Sequence, residues 1–362
     1  DIMESIGLNN IVSFSRKLNG ECTILKIVND YLVAGSKSGN IVCWKIESGS
    51  EIWSLNLDGP CSDLDNIDEK IFVTESDKVH CIELVSGCVI WSKAVGGVSD
   101  YLFVEKDRLW VTSSTYKFEI QDYEGSSVLL FNDTGVLEDR WEISGKAWFI
   151  FVKNKTAFVG LSGPKGYAEL KVGFSPIYIE LENEGPVISG DYSKIDEICL
   201  GHSNGGITLF ERSIMKSYFF DKPIKSVLSD RGWVASFETG EIYSEREVGN
   251  WQIDVSGPID FIIFGPSLNG NIAIWSCIWK DFALLKIINE KTGLIDLQIK
   301  HDKRIVKIYA LDEIIALGDN EGKIMILETE VIRSRIFNYK EDENDAEKRA
   351  LLRSKIEKLI RG

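Results

Sequence analysis

Four short segments inside Cys22 to Leu55 decide the fold: Thr23-Ile-Leu-Lys-Ile27, Tyr31-Leu-Val-Ala-Gly35, Ile41-Val-Cys-Trp-Lys-Ile46 and Glu51-Ile-Trp-Ser-Leu55. Each is rich in β-branched and aromatic residues. A polar break, a Ser38-Gly39-Asn40 turn and a Ser48-Gly49 turn part them. Alternating apolar runs divided by Gly, Asn and Ser predict a four-stranded antiparallel meander. A sheet of this size cannot bury both faces alone, so it requires copies of itself on either side.

The copies follow at a period near forty. The third residue of the second segment recurs as Val33, Val73, Val111, Val159, Leu200, Ala235, Ile274 and Leu317, at intervals of 40, 38, 48, 41, 35, 39 and 43. A glycine turn ahead of the third segment returns as Gly205-Gly206-Ile207, Thr239-Gly240-Glu241-Ile242 and Glu321-Gly322-Lys323-Ile324. Four strands per forty residues specify a β-propeller rather than a helical solenoid. The expected fold is therefore all-β, a propeller of eight four-stranded blades, or of seven if one unit is irregular. The third unit carries an insertion near Ser113–Ser127, and Ile11-Val-Ser-Phe-Ser15 is an extra strand that would complete the last sheet.

Past Tyr339 the pattern changes. Leu352, Ile356, Leu359 and Ile360 fall on one helical face, acidic residues crowd the start of this stretch and basic ones its later part. That order suits a helix dipole, with Asn344 or Asp345 as cap. The reading is a propeller over 1–340 and a C-terminal α-helix over 341–362. Leu352, Ile356 and Leu359 are the candidate partner-binding residues, whether the helix lies on the propeller or in a partner's groove.

Composition bounds the function. A chain of 362 residues, 44% hydrophobic and 27% charged, has ample material for a core. Its net charge of −15 repels phosphate backbones, which argues against nucleic acid as the main partner. No run approaches the roughly 18 apolar residues of a membrane helix, and the first residues show no secretory signal. Seven cysteines without CxxC spacing read as small buried hydrophobes in a reducing compartment, so the expected location is cytoplasmic.

A second marker closes the unit: Ser48-Gly49 with Trp53 and Ser86-Gly87 with Trp91, echoed by Thr134-Gly135 with Trp141, Gly249 with Trp251, and Thr292-Gly293. It resembles the docking motif of the eight-bladed quinoprotein-type (PQQ-like) propellers, in which a Thr-Gly or Ser-Gly turn precedes a Trp that docks on the neighbouring blade. The period is also similar to that of WD-repeat (WD40-like) propellers, whose Gly-His and Trp-Asp signatures are missing; Gly201-His202 stands at the wrong place in its unit. The likeness spans about residues 10–340 and specifies a fold, not an activity.

The quinone-dependent dehydrogenases of that family use a calcium-bound quinone and, in several members, adjacent cysteines. Here the nearest approach is Cys81 and Cys88. His80, His202 and His301 share no motif, and no HExxH, GxSxG or GxxxxGK[ST] occurs. Gly160-Leu-Ser-Gly-Pro-Lys-Gly166 lacks phosphate-loop spacing, and the carboxylate-rich run Asp63-Leu-Asp65-Asn-Ile-Asp68-Glu69 lacks the glycine of a calcium loop. No catalytic residue, cofactor or metal is assigned. The expected function is a non-catalytic scaffold for protein–protein interaction, a component of a larger complex acting through face loops or the terminal helix. The alternatives are a quinone- or carboxylate-dependent enzyme of the channel, and an envelope assembly factor similar to PQQ-like outer-membrane assembly propellers.

Overall fold

The computed structural model describes residues 5–119, 121–162, 166–193, 197–211 and 214–338. There are eight sheets, six of them built only from four strands consecutive in sequence, and the meander of 22–56 is blade 1. Blades 2 to 7 cover 61–94, 98–143, 147–179, 187–219, 224–254 and 259–301, and blade 8 begins at 305. The innermost strand of every blade touches that of the next, and the innermost strand of blade 8 touches that of blade 1, which shuts the ring. The eight-bladed alternative holds.

Closure uses the N-terminal segment. Blade 8 supplies only three strands from its own stretch, Ile305–Leu311, Ile314–Asp319 and Lys323–Glu328. The strand Phe14–Lys17 pairs antiparallel with the third of these and becomes its outer edge. The extra strand thus begins at Phe14 rather than Ile11, because Leu8–Ile11 forms one helical turn that buries Leu8 and Ile11. Ahead of it, Ile6–Gly7 adds a fifth, parallel strand to blade 7, opposite Ile299 and Lys300.

A feature invisible in composition repeats eight times. Each innermost strand carries a register shift near its start, at Cys22/Ile24, Cys61/Asp63, Ser99/Leu102, Ala147/Phe149, Val187/Ser189, Ile224/Ser226, Ile259/Phe261 and Ile305/Lys307. Bulges of this kind bend a strand and raise its twist, which is what a blade needs where it turns from the channel mouth. The hairpins joining first to second strands place Asn29, Asp68, Lys106, Asn154, Arg231 and Asp312 at positive φ. Primed turns of this type match the right-handed twist of the flanking strands.

The core lies between blades rather than within them. Ile24, Val33, Cys43 and Trp53 of blade 1 form one buried cluster with Cys61, Leu64, Val73 and Ile82 of blade 2. Leu25, Leu32 and Trp44 of blade 1 likewise meet Ala316, Ile324 and Ile326 of blade 8. A sheet buried on both faces accounts for the continuous apolar runs of the middle strands. The insertion of the third unit lengthens one hairpin, Arg108–Lys117 with Asp122–Asn132, rather than adding an element.

A helix does follow the last blade, over 329–338, earlier than the sequence indicates. Its Ile332 is buried and its Ile336 joins the same cluster, which holds Leu8 and Ile11. Arg335 donates to the carbonyls of Val12 (2.6 Å) and Asn10 (3.4 Å). The β-branched sequence Val331-Ile332 concealed it, since such residues favour strands when read locally. The stretch 341–362, with Leu352, Ile356 and Leu359, lies outside the described residues.

Candidate functional site

The blade seams come first, because they fix everything else. The indole N–H of Trp53 donates to the carbonyl of Leu84 (2.7 Å), that of Trp91 to Asp133 (3.0 Å), that of Trp141 to Phe174 (2.8 Å) and that of Trp251 to Glu290 (2.8 Å). Each acceptor sits in the following blade. A Cβ at Gly87 would lie 2.6 Å from the Trp53 ring, and one at Gly293 2.7 Å from that of Trp251. The glycine of the turn is therefore the floor on which the preceding blade's ring rests. At the ring seam no Trp is present: Phe14 takes the position and Arg16 Nε donates to the carbonyl of Gly49 (2.6 Å). The motif glycines thus serve the Trp of the blade before them, not the one four residues on.

His80 and His202 are bonded inside single repeats, and His301 across the seam from blade 7 to blade 8. His80 is buried between Ser92 Oγ (2.7 Å) and Glu75 (3.1 Å). His202 is fully buried between the carbonyl of Gly185 (2.7 Å) and Thr208 Oγ1 (2.9 Å). Burial pushes its pKa below the usual value, against the Gly185 contact. His301 contacts Asp319 at 3.1 Å. Burial alone would raise the Asp319 carboxyl, but His301 and the amides of Lys323 and Glu321 hold it below its ordinary value. Glu75, His202 and Asp319 all end second strands, so one repeat position supplies a buried polar lock in three blades.

The carboxylates of the innermost strands bridge blades. Asp63 accepts the Leu102 N–H and Asp65 the Val104 N–H, both at 2.9 Å, from blade 2 to blade 3. Asp191 accepts the Ser229 N–H at 2.7 Å, from blade 5 to blade 6. An innermost strand has one unpaired edge, and these side chains satisfy amides that lie along it. Burial raises both Asp63 and Asp191 to about 6, with the accepted N–H bonds pulling the other way. Asp65 also pairs with Lys26 of blade 1. Phe103, Phe151 and Tyr192 come from three successive innermost strands and lie within 5.7 Å of one another by ring centroid.

The run singled out for its carboxylates is split by this geometry. Asp63 and Asp65 join blades, while Asp68 and Glu69 face a cleft with Lys70, Lys106, Asp107 and Asp133, in which Lys70 holds Asp133 at 3.0 Å. Among the described residues no three His, Cys, Asp or Glu side chains form a metal-binding group. All seven cysteines are free thiols and six are buried; burial lifts Cys22, Cys43 and Cys61 to about 12. No helix among the described residues is long and apolar enough to cross a membrane.

The outer rim is the apolar exception. Val89 and Ile90 of blade 2, Val136 and Leu137 of blade 3, and Phe174 and Ile177 of blade 4 are exposed at successive outer strands and turns. Sequence reasoning missed them, because strand alternation does not say which face a blade's outermost strand turns to solvent.

Eight meanders, Trp-on-glycine seams and a closing N-terminal strand define an eight-bladed β-propeller. Within that class, residues 12–78 match the family model described as outer membrane protein assembly factor BamB. The fold is similar to that of the computationally designed Ika8 protein, with a TM-score of 0.72 at 14% identity over 90% of this chain and 99% of that one. It is also similar to BamB from Moraxella catarrhalis, with a TM-score of 0.67 at 12% identity over 88% and 97%. At such identities the likeness is one of fold. A search of curated protein sequences gave no match.

Proposed function

We propose that this protein is a non-catalytic, cytoplasmic propeller scaffold that holds protein partners within a larger assembly. One observation carries the reading: the groups that would serve acid–base chemistry are bonded into the architecture. His80 and His202 are locked inside single repeats, and His301, Asp63, Asp65 and Asp191 are bonded across seams. A general base must reach a substrate proton; His80 and His202 are buried with both ring nitrogens bonded, and His301 is buried with one nitrogen on Asp319. Large exposed apolar side chains along blades 2 to 4 supply contact surface of the kind protein interfaces use. Free, buried thiols support a reducing compartment.

Affinity co-purification from the native host tests it, comparing the full chain with one lacking 341–362 and with a triple variant Ile90→Asp, Leu137→Asp, Phe174→Asp. Specific partners lost from either variant, with the melt of the body kept within a few degrees, are the expected result. Absence of any stoichiometric partner would remove the scaffold reading.

The match of residues 12–78 to the BamB model favours a second reading, an assembly factor of the cell envelope. Fractionation decides between them: recovery with the envelope rather than the cytoplasm would replace the first reading by this one.

A further inference from the structure

We propose that the seam between blades 5 and 6 is a recognition slot for an aromatic side chain, presented by a partner protein between basic residues. The argument starts from register. In blades 1, 2 and 6 the docking indole stands opposite Cys43, Cys81 and Ser244, the partners of the third residue of each second strand. In blade 5 that third residue is Cys199, its partner is Leu209, and opposite Leu209 stands Lys216. A flexible cation therefore occupies the place where three other blades put a flat ring. Lys216 turns to Glu211 (2.7 Å) and stays half exposed, so the wedge goes unfilled.

The receiving side differs as well. Blade 6 joins its third and fourth strands by the two residues Glu247 and Val248, without a Ser-Gly or Thr-Gly platform reaching back toward blade 5. The result is an open cleft of about 640 Å³, whose lining includes Leu209, Ile214, Lys216, Tyr218, Arg231 and Glu245. Tyr218 and Trp233 pack edge to face behind it, with centroids 5.3 Å apart. An incoming ring thus meets an aromatic and aliphatic back wall, as the ring's own tryptophans do.

Charge sets what flanks that ring. Three cations line the cleft: Arg246 at its base is committed to Glu290 (3.0 Å) and Asp230 (2.5 Å), Lys216 to Glu211, and Arg231 is exposed; the four carboxylates Glu197, Glu211, Glu245 and Glu247 outnumber them. Glu245 and Glu247 lie exposed on the lip, on a chain of net charge −15. Basic neighbours complement this edge and acidic ones are repelled. The occupant is a protein segment with an exposed Trp, Tyr or Phe between Lys or Arg residues. The carbonyl after the third strand, Glu247 here, corresponds to the one that receives the indole N–H at other seams.

This names the kind of partner for the scaffold reading, yet is tested apart from it. Calorimetric titration of the purified protein uses a capped Lys-Trp-Lys tripeptide, its Ala-centred analogue and a Glu-Trp-Glu counterpart. The first is expected to bind, with the other two weaker by about tenfold or more. Lys216→Trp fills the slot from within, so it should abolish that binding and raise the melting temperature. Should that variant fail to fold, the double change Glu245→Lys, Glu247→Lys on the exposed lip should cost about tenfold in affinity for the basic peptide. No binding at millimolar peptide, equal binding of the Ala analogue, or unchanged binding in the folded variants overturns the slot, whatever co-purification shows. Absence of any stoichiometric partner in co-purification, with peptide binding at the slot intact, would overturn the scaffold reading alone.

Discussion

Asp63 shows how one side chain serves two masters. It caps the Leu102 amide of the next blade and yet sits where burial lifts its pKa from 3.8 to about 6. A carboxyl raised on folding contributes stability fully below pH 4, and that contribution is lost as pH rises through 6. Asp63→Asn keeps an oxygen for the amide without the buried charge. Its melting temperature relative to the parent should therefore climb between pH 5 and 7, by an amount on the order of 1–3 kcal/mol in stability. A flat difference across that range would show that Asp63 titrates as an exposed acid. Gly87 is the second informative residue, with φ at 72° and Trp53 at contact distance. Gly87→Ala should cost about 2–3 kcal/mol in chemical denaturation, from left-handed strain and displacement of the ring. Gly125→Ala, with nothing within 4 Å of the added carbon, should be close to neutral.

Among the elements, the N-terminal strand Phe14–Lys17 carries most weight for its length, since four residues close the ring. Phe14 and Arg16 stand in for a docking tryptophan there. Arg16→Pro removes an amide from the ladder with Ile324, and with it the Gly49 contact, and should expose the outer edge of blade 8. Hydrogen exchange is expected to accelerate in Lys323–Glu328 by about tenfold or more while blades 3 and 4 keep their protection. Uniform acceleration would mean that closure is not local to this strand. The strand was legible in sequence as a β-rich segment ahead of the first repeat, although its start was misplaced by three residues. Ile11 and Val12 read as strand because both are β-branched; only the cluster of Leu8 and Ile11 with Ile332 and Ile336 draws Ile11 into a helical turn.

For the whole molecule, shared cores across seams make the ring one cooperative unit rather than eight. Urea unfolding followed by far-ultraviolet circular dichroism and by tryptophan fluorescence should give coincident midpoints. Separate transitions would show blades melting independently. The periodicity of forty, the glycine turns and the Ser-Gly…Trp markers were enough for the propeller and for eight units, because a lone meander cannot bury its faces and must recruit neighbours. Sequence also separated the three histidines from any shared motif. What it left open was where each polar group finds its partner. Asp63 meets Leu102 and His301 meets Asp319 only once strands from different stretches lie side by side. The empty slot at Lys216 was equally hidden, since a lysine in an outer strand looks ordinary until register places it opposite Leu209. Local pattern determined the strands, their count and their stacking, because hydrophobic period and turn chemistry act over a few residues. Partnering across the seams, and the gap left at one of them, were decided by tertiary structure, because hydrogen bonds and ring contacts depend on distances that linear spacing does not encode.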